Sequence, residues 1–272
     1  MNAEYRTITV RGQDLRVAVS GPEDAERTLL LFNGIGASVE TIAPFARHFR
    51  RTRLVTFDVP GVGGSPTPVA PYRFASVARM AAGILDDLGL DRVDVFGVSW
   101  GGALAQQFAH DYPERTGALV LAATSAGAIM VPGNLRVLLK MMTPKRYTDP
   151  DFMMRVGPEL YGGQLRFNSE LLVDHIEVMK AGNPRGYLYQ LLAGYGWTSW
   201  LMLPRIGART LVMMGEDDPI VPPVNGRILV SRLPNARLQR VDCGHLFMLT
   251  QAETIADQVE AFLHETEDAD AA

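Results

Sequence analysis

A serine hydroxyl attacks a carbonyl only when a base lies within hydrogen-bond reach and an acid orients that base. The segment Gly97-Val98-Ser99-Trp100-Gly101 offers such a serine. It follows the apolar run Val93-Asp94-Val95-Phe96 and leads into a helix-like stretch, Gly102 to Ala109. A strand, a serine between glycines and a helix together make a nucleophile elbow, a sharp turn that holds the hydroxyl clear of the backbone. The glycines leave room where a Cβ would collide.

The base must be a histidine, and the chain has five. His48 falls in an early helix, His110 in the helix after Ser99, His175 among mid-chain helices and His264 near the C-terminus, all positions suited to surface or packing roles. His245 differs, because Asp242-Cys243-Gly244-His245 comes directly after a strand-like run ending at Val241. Chemistry gathers at that carboxyl edge of an open α/β sheet. In elbow enzymes the chain order is Ser, acid, His. The acid therefore belongs after the run Thr210 to Met214, where Glu216, Asp217 and Asp218 stand side by side. Asp218 is preferred because Pro219 keeps it extended and out of a helix. Asp217 is the next choice and Glu216 the last. The oxyanion needs two backbone donors, one from the residue after the nucleophile, Trp100, and one from the turn Asn33-Gly34-Ile35-Gly36, which points to Ile35. These glycines are equally compatible with a plain tight turn.

Strand-like and helix-like runs alternate around these positions. Thr7–Val10 and Leu15–Val19 read as a hairpin. Thr28–Phe32, Leu54–Asp58, Val93–Phe96, Ala118–Ala123, Thr210–Met214 and Leu238–Val241 read as buried strands, and Phe74–Leu88 and Thr254–His264 as helices. Apolar strands alternating with helices predict an α/β fold with a mostly parallel, doubly wound sheet. The alternation stops between residues 125 and 200. That stretch carries helical patterns and six of the twelve methionines: Met130, Met141, Met142, Met153, Met154 and Met179. It predicts a helical cap over residues 125–200, inserted into a core made of 1–124 and 201–272. Methionines on helices commonly do nothing more than pack; here Met130, Met141 and the aromatic Trp197 are candidates for an apolar wall over the site.

Composition narrows the alternatives. The 272 residues are 47% hydrophobic, with 26 basic and 30 acidic side chains and a net charge of −4. No basic stripe points to nucleic acid. Cys243 is the only cysteine, which excludes an internal disulfide and a cysteine metal cluster. No histidine pair has ligand spacing, and Gly61-Val62-Gly63-Gly64 lacks the rest of a dinucleotide fingerprint. Neither cofactor nor metal is expected. Met1 to Arg6 has no basic region leading into an apolar one, and no apolar run is long enough to span a bilayer, so a cytoplasmic protein is expected.

Longer segments carry a family resemblance. They include F-N-G-I-G-A (32–37), F-D-V-P-G-V-G-G-S (57–65), G-V-S-W-G-G-A-L-A-Q-Q-F-A-H-D-Y-P-E-R (97–115), M-V-P-G (130–133), Y-G-G (161–163), G-W-T-S (196–199) and G-H-L-F (244–247). With these the chain resembles the α/β-hydrolases, and within them the intracellular medium-chain-length polyhydroxyalkanoate depolymerases. The resemblance implies Ser99 as nucleophile, Asp218 as acid and His245 as base. It further implies a hydrophobic polyester substrate and association with polymer granules. One departure is Cys243, where the resemblance implies an acid; no catalytic group is lost by it. The competing expectations are a carboxylesterase or lipase for soluble esters, and a granule scaffold without turnover. The intact Ser-Asp-His set speaks against the scaffold.

Overall fold

The computed structural model describes residues 3–143, 145, 149–173, 176 and 183–265. Eight strands form one sheet in the order β1-β2-β4-β3-β5-β6-β7-β8. They are β1 (Glu4–Val10), β2 (Gln13–Ser20), β3 (Arg27–Phe32), β4 (Thr52–Phe57), β5 (Val93–Val98), β6 (Thr116–Ala122), β7 (Thr210–Gly215) and β8 (Ala236–Val241). The first two pair antiparallel, β2 runs antiparallel to β4, and the rest are parallel. Each predicted strand is present, most of them lengthened at an end.

Side-chain alternation explains why the central strands are apolar throughout. In β3, Leu30 and Phe32 face one side and Leu29 and Leu31 the other. In β7, Val212 and Met214 oppose Leu211 and Met213 in the same way. Both faces are covered, so apolar residues predominate on each. One face packs on α2 (Phe74–Asp87) and α3 (Trp100–Asp111) through Phe74, Val77, Leu104 and Phe108. The other packs on α1 (Val39–Ala46), through Ile42 and Phe45, and on the C-terminal helix Ala252–His264, through Ile255, Val259 and Phe262. Gly89 ends α2 at φ 66, a left-handed stop that glycine adopts at little cost.

Between β6 and β7 the chain runs through α4 (Leu135–Met141), α5 (Pro150–Tyr161) and α6 (Pro184–Gly194). Asn134, Asp149 and Asn183 cap them with side-chain acceptors. The root of this helical segment is pinned to α3. The Trp197 indole donates to Gln107 Oε1 at 2.8 Å and its ring packs 4.9 Å from Phe74. Ser199 Oγ donates to Gln106 Oε1 at 2.6 Å, and Thr198 Oγ1 to the Ala126 carbonyl at 2.7 Å. Gly127 lies against Trp197 where any Cβ would strike the Trp197 carbonyl at 2.3 Å.

After β7 comes α7 (Val224–Arg232), and after β8 a short helix α8 (Phe247–Thr250) precedes α9 (Ala252–His264). The Trp197 pin has a measurable consequence. Trp197→Phe keeps a ring against Phe74 but strands the Gln107 carbonyl. It should lower unfolding stability by about 1–3 kcal/mol, with activity per folded molecule unchanged. Urea denaturation beside turnover assays checks this. Lost activity at unchanged stability would return Trp197 to the substrate site.

Candidate active site

The loops after β3, β5, β7 and β8 meet at the carboxyl edge of the sheet, and each brings one part of the site. β5 ends at Ser99, whose backbone lies at φ 54 and ψ −117. A non-glycine residue in the left-handed region is strained and persists only where its surroundings over-determine it. Here they do. Ser99 donates its N–H to the Ala122 carbonyl at 2.9 Å, and its own carbonyl accepts from Thr124 Oγ1 at 2.7 Å. A Cβ on Gly97 would lie 2.3 Å from the Gly101 carbonyl, and one on Gly101 would lie 2.2 Å from the Phe32 carbonyl.

His245 and Asp218 are both buried. The Nδ1 of His245 lies 2.7 Å from Asp218 Oδ2. A carboxylate only accepts, so Nδ1 carries the proton and Nε2 is left as the acceptor. Asp218 Oδ1 accepts from the N–H groups of Ile220 and Val221, each at 2.9 Å, which fixes the carboxylate. The His245 N–H donates to the Tyr161 carbonyl at 2.7 Å, so the end of α5 holds the histidine loop. Ser99 and His245 line one cavity of about 80 Å³. Among the described residues no hydrogen bond joins their side chains; such bonds often tighten only once substrate is bound.

The three neighbouring acids are separated by their partners. Asp217 faces Arg166 in a bidentate pair at 2.6 and 2.9 Å and accepts the Gly163 N–H at 2.7 Å. Glu216 pairs with Arg240 at 3.0 Å. Only Asp218 meets the histidine. The hydrogen bonds from Arg166 hold the Asp217 carboxyl below the usual carboxylate range. Asp58, between β4 and the Gly61–Gly64 turn, goes the other way. Burial pushes its carboxyl up, although the N–H groups of Val39 and Gly64 both donate to it at 2.8 Å.

Ile35 lines the cavity, and Trp100 begins α3, where a first-turn N–H has no partner within the helix. The turn bearing Ile35 is stapled: Asn33 Nδ2 donates to the Ser38 carbonyl at 2.7 Å, and the Ala37 N–H to the Gly34 carbonyl at 3.2 Å.

The candidate apolar residues divide. Met141 lines the cavity. Met130 and Trp197 do not line it: the Met130 sulfur accepts from Ser125 Oγ at 3.4 Å, and Trp197 is the pin described above. Most of the lining comes instead from the core, from Ile42 and Phe45 of α1 and from Leu246, Met248 and Leu249 around α8. The i, i+3, i+6 spacing of Val39, Ile42 and Phe45 was the available signal for α1. Of the other histidines, His48 follows α1 rather than lying in it, His110 sits in α3 beside Asp111, and His264 ends α9, its ring held below the ordinary range by burial. His175 and Met179 lie outside the described residues. Among the described residues no three His, Cys, Asp or Glu side chains are grouped as a metal site.

A family model for the α/β-hydrolase fold matches residues 27–159. Poly(3-hydroxyalkanoate) depolymerase from Ectopseudomonas oleovorans is 48% identical over 262 residues, covering 96% of this chain and 93% of that protein. The chain therefore belongs to the α/β-hydrolase family. Within the family, the depolymerase is a relative along nearly the whole length. A second relative, the 2-hydroxy-6-oxononadienedioate/2-hydroxy-6-oxononatrienedioate hydrolase of Comamonas testosteroni, is 30% identical, with 89% and 90% of the two chains covered. The solved enol-lactonase from Burkholderia xenovorans LB400 superposes with a TM-score of 0.82 at 22% identity, over 96% of this chain and all of that one, a likeness of fold.

The Arg166–Asp217 pair predicts a pH effect. Its carboxyl titrates lower folded than unfolded. The stabilisation is therefore present above the ordinary Asp value of about 3.9 and fades as the pH falls through the lowered one. Asp217→Asn should cost about 0.2–1 kcal/mol near neutrality, as for an exposed pair, and the gap from wild type should narrow as the pH falls below the ordinary Asp value of about 3.9. Denaturation curves across that range check it; a gap that widens in acid contradicts it.

Proposed function

We propose that the protein is a serine esterase that hydrolyses the ester bonds of a medium-chain-length poly(3-hydroxyalkanoate), with Ser99, His245 and Asp218 as its catalytic triad. The observation that carries the chemistry is the buried His245–Asp218 pair facing the cavity that holds Ser99. The substrate class rests on the near full-length similarity to the depolymerase. In this reading Ser99 Oγ attacks the ester carbonyl while His245 Nε2 takes its proton. Asp218 keeps the imidazole in the required tautomer and balances the imidazolium. The Ile35 and Trp100 N–H groups hold the tetrahedral oxyanion. Collapse breaks the ester C–O bond, and the leaving 3-hydroxyl takes the proton from His245. Water then attacks the acyl-serine, His245 again acting as base, and a 3-hydroxyalkanoic acid or short oligomer leaves.

The helical segment 125–200 acts as the cap in this proposal. The alkyl side chain of the acyl unit enters the cavity between α1, α8 and Met141. Each buried CH₂ contributes about 0.8 kcal/mol, roughly fourfold in binding, until the cavity ends. The outer face suits a polymer surface. Among the described residues the exposed large apolar side chains, apart from Tyr5, Val69 and Val224, fall between Ile129 and Leu201. Leu135 and Leu139 on α4, and Leu188 and Leu192 on α6, form exposed i, i+4 pairs. A monomer that keeps such residues exposed together presents an attachment surface. The proposed location is cytoplasmic, on polymer granules. No helix among the described residues is long and apolar enough to cross a membrane.

Purified protein incubated with medium-chain granules should release soluble 3-hydroxy acids, detected by mass spectrometry. Fast turnover of short soluble esters with no acid from granules would instead favour a general carboxylesterase. Ser99→Ala should abolish release while folding normally. Asp218→Asn should lower kcat by about 10³- to 10⁴-fold, as loss of the correct tautomer does in a serine-protease triad. Equal losses in Asp217→Asn would undo that assignment. Glutamates at Leu135, Leu139, Leu188 and Leu192 should weaken granule binding and polymer turnover together, leaving soluble-ester kcat within about twofold.

A further inference from the structure

Gln190, in the middle of α6, is fully buried. Its Oε1 accepts the Gly36 N–H at 2.8 Å, across 154 residues of sequence. Its main-chain carbonyl accepts the indole N–H of Trp100 at 2.9 Å. One residue of the helical segment thus grips both elements that carry the proposed oxyanion donors. Holding the Gly36 N–H fixes the peptide plane between Ile35 and Gly36. Gly36 sits at φ 73 in the turn that the Ala37 N–H closes on the Gly34 carbonyl, and Gln190 ties that turn to α6. Holding the Trp100 indole, whose ring also packs 4.7 Å from Phe74, fixes the first residue of α3.

The chemistry of the side chain is the second observation. With Oε1 committed to Gly36, the buried Nε2 amide of Gln190 has no hydrogen-bond partner among the described residues. An unsatisfied buried donor is costly. A glutamate of nearly the same shape would accept the same N–H without leaving that donor orphaned. It would also place a negative charge beside donors that must stabilise a developing oxyanion. Glutamine is the side chain of this length that accepts an N–H while staying neutral.

We propose that Gln190 is a positioning residue: it sets the turn bearing Ile35 against the elbow through a neutral acceptor, so that the two backbone donors converge on one point. The proposal rests on the esterase reading, and its test separates the two. Wild type, Gln190→Met, Gln190→Glu and Ser99→Ala are assayed on a soluble aryl ester across a range of pH, with urea midpoints for each. Gln190→Met keeps the volume but cannot hold Gly36. Its kcat should fall about 10- to 100-fold with KM within about threefold, as for a displaced transition-state donor. Gln190→Glu can accept from Gly36 in either protonation state. Its rate relative to wild type should fall at least about tenfold as its carboxyl ionises beside the oxyanion. A purely structural glutamine predicts no such pH-dependent ratio. Should Gln190→Met not fold, that ratio decides alone. A Gln190→Met kcat within about twofold of wild type, or a Gln190→Glu ratio flat across pH, overturns the proposal while Ser99-dependent turnover in wild type keeps the esterase reading. Wild-type turnover that survives Ser99→Ala overturns both.

Discussion

The backbone of Ser99 at φ 54 is the constraint on which the rest of this architecture depends. A side chain in that conformation has to be held there, because relaxation would withdraw the hydroxyl into the turn. The holding is done by proximity. Gly97 and Gly101 bring β5 and α3 against the end of β3, and Gly102 lets Thr124 close over Ser99, with a Cβ there only 2.5 Å from the threonine side chain. Ala123, at the end of the neighbouring β6, is itself at φ 46 and donates to the Met213 carbonyl, tying the elbow to β7. The ends of β3, β5, β6 and β7 are thereby locked together. The end of β3, the serine and the strand leading to Asp218 are held in fixed relative positions.

The helical segment between β6 and β7 is not an independent cover laid over this core. It is stitched to each loop of the candidate site. Gly133 lies where a Cβ would meet the Ile220 carbonyl, beside the Asp218 loop, and Val131 exchanges two hydrogen bonds with Asn225. The Tyr161-Gly162-Gly163 turn passes between the loops of acid and base, its glycines within 2.1 Å of the Asp217 carbonyl and the Gly244 nitrogen had they carried a Cβ. Trp197 and Ser199 bind the exit of the segment to α3. The cap motifs singled out in the sequence are these contact points.

This clarifies what sequence could and could not yield. The strands were legible because a sheet covered on both faces demands unbroken apolar runs, and Ser99 because its turn needs glycines on both sides. Asp218 stood out from its neighbours because Pro219 constrained its backbone. Trp197 and Met130 could not be placed from sequence, because a large apolar residue in a helical insertion looks the same whether it faces a cavity or the core. Only a partner such as Gln107, ninety positions away, decides between them. Gln190 carried no signal at all: its role is a pair of hydrogen bonds made across the fold, one of them through the main chain.

The cavity wall bears on how a polymer could be read. The lining next to Ser99 includes α1 and α8, whose buried residues Ile42, Phe45 and Met248 belong to the sheet's own apolar layer. Phe45 is braced edge-on by Phe49 at 5.1 Å and packs against Phe96 of β5 at 5.6 Å. A wall continuous with a close-packed core gives little when a side chain presses on it. On the proposed reading, the length of the alkyl group is measured by the rigid core, and attachment is left to exposed leucines on α4 and α6. The two demands conflict on a single surface: a sticky face should be broad and tolerant, whereas a gauge should be narrow and stiff. Placing them on opposite sides of Met141, one on the insertion and one on the sheet, satisfies both.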